Sequence, residues 1–446
     1  MTTANAYPVT QTIHTIGILG GGQLGMMLAQ AALPLGYRCV FLEDNADCPA
    51  SLYGQVFSSA QLDDFIAAAE VFTLEFENTP TETVEKLAKL SADKQKQGMF
   101  PPPIALDIAQ DRLKEKQLFN DLNIATVPFM AVNSLAELKQ ACESLGLPMV
   151  LKTSRGGYDG KGQYVIKQEA DIKLAWQDLK DAVSGKGSLT ATPAPLIAEG
   201  FASFSREVSI IAARGQDGSV RCYDLVENHH HQGILAKTQA PAIGTSHLFA
   251  QATASMTTLM NHLDYVGVMA VELFVTKDAR GHDTLLANEI APRVHNSGHW
   301  SIEGAITSQF ENHIRAVVGL PLGDTDNVHP AIMVNVLGQY PDISAVTAID
   351  GVHYHSYHKE ERDNRKIAHI TLMPNDVANL EPALAKLVAI LPNKVGLDKQ
   401  YVSGTGGTDS KDIAEAVNPK NTPDTPPSEQ TTETSTRQAA DKKATK

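Results

Sequence analysis

The chain has 446 residues, of which 43% are hydrophobic and 20% charged, with a formal net charge of −14. That length accommodates roughly two to four domains with substantial cores, and the acidic balance argues against non-specific nucleic-acid binding and against an anionic membrane surface. Four cysteines without C-x-x-C spacing, no apolar run of membrane length, and a Met1–His14 segment lacking the basic and apolar regions of a signal peptide are the marks of a cytoplasmic protein with reduced thiols.

Thr15-Ile16-Gly17-Ile18-Leu19 reads as a strand, followed by Gly20-Gly21-Gly22-Gln23-Leu24-Gly25 and an apolar helix ending near Gly36. Tyr37–Leu42 is the second strand, closed by the acids Glu43 and Asp44. This is the G-x-G-x-x-G fingerprint of dinucleotide binding in its proper strand–helix context. Taken alone it favours a nicotinamide-dependent dehydrogenase, although any such helix N-terminus can hold a substrate phosphate. A third strand, Val71–Phe76, brings Glu75 to a carboxyl end, where ligands of open α/β sheets bind. A sugar hydroxyl or plain solvent is the partner its position implies.

Pro101-Pro102-Pro103 opens a helix through Asn120, with Ile104, Ile108 and Leu113 near helical spacing, and a domain boundary falls here. Leu135–Leu145 is a short amphipathic helix. Met149-Val150-Leu151-Lys152 is then a strand leading into Thr153-Ser154-Arg155-Gly156-Gly157-Tyr158-Asp159-Gly160-Lys161-Gly162-Gln163, and Tyr164-Val165-Ile166 returns. Glycines cost about 0.5–1 kcal/mol each in regular structure, so four between two strands imply a flexible hairpin or a loop whose amides cradle phosphate. Lys152 and Lys161 favour the phosphate. The spacing is not that of a P-loop.

Ala170–Val183 is a helix, and Leu196-Ile197-Ala198-Glu199 is a strand running into Gly200, Phe201 and Ala202, a pattern suited to adenine and ribose. Glu207–Ile211 and Val220–Leu225 read as antiparallel neighbours. In His229-His230-His231, alternation sends the middle ring to the opposite face. With no fourth ligand at matching spacing, a single histidine bonded to a ligand fits better than zinc. Val268–Val275 and Leu285–Ile290 form a hairpin that carries Glu272 and Glu289, one on each strand. Carboxylates embedded among apolar residues need a partner; magnesium held against nucleotide phosphates supplies one, and a lysine would supply another. Asn288 adds a further polar group beside them. Pro292–Trp300 is a dense polar exit, followed by a helix from about Ile302 to Val318.

Val352–Tyr357 and Ile367–Leu372 read as antiparallel strands around a turn in which Lys359, Arg362, Arg365 and Lys366 form a basic cluster able to hold a phosphate monoester. From Gly404 to Lys446 the composition is polar, without aromatic residues and with seven acids against six bases. Such a segment buries too little apolar surface to fold, so a disordered tail is expected.

Assembled, these parts resemble the ATP-grasp superfamily. Within it, Gly20-Gly21-Gly22-Gln23-Leu24-Gly25, Glu75-Phe76-Glu77-Asn78, Gly156–Gly162, Asn288-Glu289 and Pro292-Arg293-Val294-His295-Asn296-Ser297-Gly298-His299-Trp300 are similar to the family of 5-(carboxyamino)imidazole ribonucleotide synthases. The resemblance spans Thr15 to Tyr401; Glu227-Asn228-His229-His230-His231 matches only at Asn228 and His230. It implies an α/β protein: a Rossmann-like N-terminal domain over 12–111, an ATP-grasp domain over 112–328, a small C-terminal β-rich domain over 329–403, and the tail over 404–446. The implied reaction is carboxylation of aminoimidazole ribonucleotide by ATP and bicarbonate through carboxyphosphate, in purine biosynthesis.

Residue by residue, the resemblance assigns ATP to Arg112, Lys152, Gly156, Gly157, Tyr158, Asp159, Gly160, Lys161, Gly162, Gln163, Glu199, Gly200, Phe201, Ala202, Glu207, His230, Asn288 and Glu289. Magnesium falls to Glu272 and Glu289. The ribonucleotide falls to Gln23, Leu24, Glu75, Asn296, Lys359, Arg365 and Lys366, and the carboxylation centre to Tyr158, Asp159 and His295. A cytoplasmic homodimer acting on small molecules, with no nucleic-acid or membrane partner, is the expected state. A formate-dependent ligase acting on glycinamide ribonucleotide is the nearest alternative.

Overall fold

The computed structural model describes residues 13–92, 98–156, 162–186, 193–231, 233–394 and 397. Gly157, Tyr158, Asp159, Gly160 and Lys161, and the 404–446 tail, lie outside the described residues.

The N-terminal sheet is built of β1 (Thr15–Leu19), β2 (Arg38–Leu42), β3 (Gly54–Phe57), β4 (Val71–Leu74) and β5 (Gly98–Met99), all parallel in the order β3-β2-β1-β4-β5. Its central strands are near-continuous apolar runs, with Ile16, Ile18, Phe41, Phe72 and Leu74 buried, as a sheet covered on both faces requires. Order reverses between β1 and β4, so a crevice opens at their carboxyl ends.

A second, antiparallel sheet comprises β6 (Phe129–Val132), β7 (Met149–Thr153), β8 (Gln163–Ile166) and β9 (Leu196–Gly200) in the order β6-β9-β7-β8. Met149 and Leu151 pack with Leu138, Ala141, Ala175 and Leu179 of the helices Leu135–Leu145 and Asp171–Val183. Alternation along β7 therefore turns Lys152 to the other face.

The third sheet carries β10 (Arg206–Arg214), β11 (Val220–Cys222), β12 (Val226–His231), β13 (Ile234–Ala240), β14 (Gly267–Lys277), β15 (Asp283–Ala291), β16 (Ala331–Leu337), β17 (Val352–Ser356) and β18 (Lys366–Leu372). Its order is β15-β14-β10-β12-β13-β16-β18-β17, with β11 on β10. The C-terminal strands thus prolong the sheet of the central part through β13 and β16, while Ile332, Val334, Ile370, Leu384 and Leu387 build an apolar cluster with the helix Leu380–Ile390.

One core joins the N-terminal and central parts: Ile16, Ile18, Met26 and Met27 share it with Ile211, Val268, Trp300, Phe310 and Ile314. The helix Gln309–Val318 sits at this seam. Its His313 accepts from the Val268 N–H at 3.0 Å through Nδ1 and meets Thr73 Oγ1 at 2.8 Å through Nε2.

Two expected helices are broken. The segment from Pro103 divides into Pro103–Ala109 and Arg112–Asp121, because Asp111 caps the second piece by accepting from the Leu113 N–H. The segment from Ile302 divides into Ser301–Gly304 and Gln309–Val318, with Ser308 as the new cap accepting from Glu311. Both caps were available in the sequence, where apolar spacing ran through them.

Candidate active site

A cavity of about 470 Å³ opens at the carboxyl ends of β1, β2 and β4, lined in part by Gln23, Leu24, Glu43, Glu75 and Asn78. The glycine loop approaches Glu75 closely. Its carboxylate accepts from the Gly22 N–H and, at 2.5 Å, from the Gly25 N–H. A Cβ on Gly20, whose φ is +100°, would stand 2.6 Å from Glu75 Cγ, so only glycine fits there. The helix N-terminus is thereby spent on an internal carboxylate. A pyrophosphate at these amides would have to displace Glu75, which removes the main support for a dinucleotide. Burial pushes the Glu75 carboxyl up, against the pull of the two amides and Lys359.

Lys359 reaches over from the turn between β17 and β18 to donate to Gln23 Oε1. Burial, with Arg365 next in effect, lowers its ammonium to about 8. The charge of Lys366 is felt at Lys359, His230, Glu272 and His295. Arg365 donates to Glu360 O at 3.3 Å. The basic turn therefore reaches Gln23 and Glu75 through Lys359, while Lys366 acts on Glu272.

On the nucleotide side, Glu272 and Glu289 are register partners across β14 and β15. Burial first, then repulsion from Glu289, raises the Glu272 carboxyl to about 7. Glu289 also suffers burial, but the Arg112 guanidinium, 3.1 Å away, holds it below the usual range. Lys152 pairs with Glu199 at 2.6 Å. His230 Nδ1 lies 2.6 Å from Glu207 Oε2, and this carboxylate, with Glu272, raises the imidazole against its burial. Asn288 flanks Glu289, Gly156 and Gly162–Gln163 flank the undescribed loop residues, and Gly200, Phe201 and Ala202 follow Glu199 directly.

Between the two groups runs Pro292–Trp300. Arg293 grips Glu77 through Nε and, at 3.0 Å, through Nη2. His295 Nε2 stands 3.6 Å from Glu272 Oε1, and its Nδ1 lies 2.8 Å from Ser297 Oγ. Burial and Arg293 lower the ring to about 3, so it is a neutral imidazole. Both amide atoms of Asn296 are buried without a hydrogen-bond partner among the described residues, as suits a group that meets a ligand.

The structure thus joins Arg112, Glu272, Glu289 and His295 in one group, Lys152 with Glu199, Glu207 with His230, and Gln23 with Lys359. It also adds Glu115 and Lys116, 2% and 1% exposed, which sequence reasoning passed over. Their spacing from Arg112 and from buried Phe119 places all four on one helix face, which was the available signal. Burial pushes the Glu115 carboxyl up to about 8, against the pull of Lys116.

Among known proteins, residues 13–110 match a ribonucleotide synthetase preATP-grasp domain, 117–310 an ATP-grasp domain, and 331–382 a phosphoribosylaminoimidazole carboxylase C-terminal domain. An N5-carboxyaminoimidazole ribonucleotide synthase of Pseudomonas aeruginosa is 44% identical over 385 residues, covering 84% of this chain and 99% of the relative. The crystal structure of the synthetase from Thermus thermophilus superposes with a TM-score of 0.75 at 41% identity, over 85% of this chain and 99% of that one. An Aspergillus clavatus synthase in complex with ADP and 5-aminoimidazole ribonucleotide matches with a TM-score of 0.74 at 27% identity, over 85% and 98% of the two chains.

Proposed function

The chain belongs to the N5-carboxyaminoimidazole ribonucleotide synthase family, and from that premise we propose that it uses ATP to join bicarbonate carbon to the exocyclic amine of 5-aminoimidazole ribonucleotide, in purine biosynthesis. The observation that carries this reading is the meeting of two groups at one segment. Arg112 pairs with Glu289, Glu289 opposes Glu272, and His295 of Pro292–Trp300 stands 3.6 Å from Glu272, while Arg293 of the same segment binds Glu77, two residues beyond Glu75.

A bicarbonate oxygen attacks the γ-phosphorus of ATP, the bond to the β–γ bridging oxygen breaks, and carboxyphosphate and ADP result. Carboxyphosphate releases carbon dioxide and phosphate. The amine lone pair then attacks that carbon, and the amine proton passes to phosphate, leaving a carbamate. Arg112 and Lys152 offer charge to the nucleotide phosphates, and the Gly156–Gln163 loop offers amides. Glu199–Ala202, Glu207 and His230 surround the base and ribose. Gln23, Leu24, Glu75, Asn296, Lys359, Arg365 and Lys366 receive the ribonucleotide. Tyr158, Asp159 and His295 order the carboxylation centre, where water must be kept from carboxyphosphate.

Among the described residues no group of three His, Cys, Asp or Glu side chains is placed to hold a metal. Two opposed carboxylates, Glu272 and Glu289, suit magnesium all the same, since that ion takes few protein ligands and completes its shell with phosphate oxygens and water. Held by Glu272 and Glu289, magnesium would neutralise charge on the transferred phosphoryl group. No helix among the described residues is long and apolar enough to cross a membrane, and no disulfide joins the four cysteines. A cytoplasmic homodimer belongs to the same proposal.

With ATP, magnesium and aminoimidazole ribonucleotide supplied, omitting bicarbonate is expected to slow ADP formation, and formate should not restore it. Label from bicarbonate should enter a product that loses it on acidification, as a carbamate does. Label in an acid-stable carboxylate overturns the reaction, and rescue by formate favours the glycinamide ribonucleotide ligase.

Replacing Arg365 and Lys366 together by alanine is expected to raise the KM for the ribonucleotide at least tenfold more than that for ATP. Charge-assisted contacts to a phosphate are worth about 1.5–3 kcal/mol each. Steady-state kinetics in both substrates decide this, and equal increases place the pair elsewhere.

A further inference from the structure

The hairpin β14–β15 has an irregularity where it matters. Glu272 opposes Glu289, but Leu273 opposes Ala287, so Asn288 is an extra residue in β15. Such a bulge interrupts the ladder and re-aims side chains, and bulges of this kind recur beside active sites. Here it places Glu289, instead of Asn288, opposite Glu272. The cost is borne by the backbone. β15 is the edge strand of its sheet, so its outward N–H and C=O groups lack a neighbouring strand.

Side chains of the helix Arg112–Asp121 take the place of that strand. Glu115 Oε1 accepts from the Ile290 N–H at 2.6 Å. Lys116 Nζ donates to Asn288 O at 2.7 Å and to Ala287 O at 3.4 Å. Alongside, Thr126 Oγ1 donates to Ala287 O at 2.8 Å and Ala125 O accepts from the Ala287 N–H at 2.7 Å. Every residue from Ala287 to Ile290 is thus held from outside, three of them through the backbone and Glu289 through the Arg112 guanidinium. Lys116 also stands 3.7 Å from Glu199, beyond the Lys152 pair.

Burying an acid and an ammonium this deeply is costly, and an apolar pair of the same volume would often stabilise a fold better. Mere stability therefore does not account for Glu115 and Lys116. We propose that they are positioning residues for ATP: they lock the Asn288 bulge so that Glu289 stays opposite Glu272 at the spacing a phosphate-bound magnesium ion needs. This rests on the function proposed above, and it adds residues that touch neither nucleotide nor metal.

The test is ADP binding by calorimetry, with magnesium and with EDTA, on wild-type protein and on Glu115→Met and Glu115→Gln. The two variants remove the same titratable carboxyl, but only glutamine keeps an oxygen for the Ile290 N–H. Wild type should bind ADP more tightly with magnesium. Glu115→Met should lose at least fivefold of that magnesium-dependent gain while its affinity in EDTA stays within twofold, and Glu115→Gln should recover most of the gain. Lys116→Met, which frees Asn288 O, should behave as Glu115→Met and guards against one variant failing to fold. Equal weakening with and without magnesium, or no change in either methionine variant, overturns the positioning role while leaving the carboxylase reading intact. Absence of ADP binding to wild type sinks both.

Discussion

Glu289→Gln is expected to reduce ATP turnover by roughly 10²–10³-fold, the scale on which a single fixed electrostatic partner acts in a transition state. The substitution preserves side-chain volume and an oxygen able to accept from Arg112, which lies 3.1 Å away, so the fold should survive with unchanged circular dichroism. What is lost is one of two opposed carboxylates. Glu272 would then face a neutral amide, and the repulsion that helps raise it to about 7 would vanish. Its carboxyl should titrate lower in the variant, so loss of activity would not reflect loss of the second charge. Glu272→Gln should show the same direction as a raised magnesium requirement. Turnover equal to wild type at saturating magnesium would remove Glu289 from the chemistry.

Arg293→Met is expected to produce the largest loss of stability. Arg293 binds Glu77 through two nitrogens, and the two side chains are 16% and 24% exposed. Removing one partner of a largely buried pair strands the other charge at a cost of about 3–5 kcal/mol, more than the pair itself contributes. The midpoint of chemical denaturation should fall accordingly, and Arg293→Met with Glu77→Leu together should recover much of the loss. The same pair anchors the chain two residues before His295, so kcat should fall as well. A single variant as stable as wild type would show that Glu77 finds solvent without its arginine.

How much of this was legible beforehand depended on whether a residue's partner lay in the same local pattern. Glu272 and Glu289 could be assigned to neighbouring strands because both stand in apolar runs joined by one turn, whereas the bulge at Asn288 that sets them opposite each other carries no local signal. The strands flanking Gly156–Gly162 were readable for the same reason. Asp111 and Ser308 broke two helices because capping competes with apolar spacing, and the spacing alone carries no stop signal. Glu115 and Lys116 share a helix face with Arg112 and Phe119, but nothing local names their partner, since β15 arrives from more than 170 residues away to meet them. The occupation of the Gly22 and Gly25 amides by Glu75 was hidden likewise. A fingerprint states that amides are free to bind a carboxylate or phosphate, without saying which one the fold supplies.

The seam between β13 and β16 has a consequence for synthesis. All seven residues of β13 are buried, and about a hundred residues separate Lys237 from its register partner Val334. At 5–20 residues per second, translation leaves that edge without its neighbour for roughly 5–20 s. During this time the emerging chain carries a strand with one edge unpaired, of the kind that recruits other chains. Aggregation of the newborn polypeptide is therefore decided while residues 241–337 are being made, and chaperone occupancy or codon speed over that interval should govern yield more than the stability of the finished molecule.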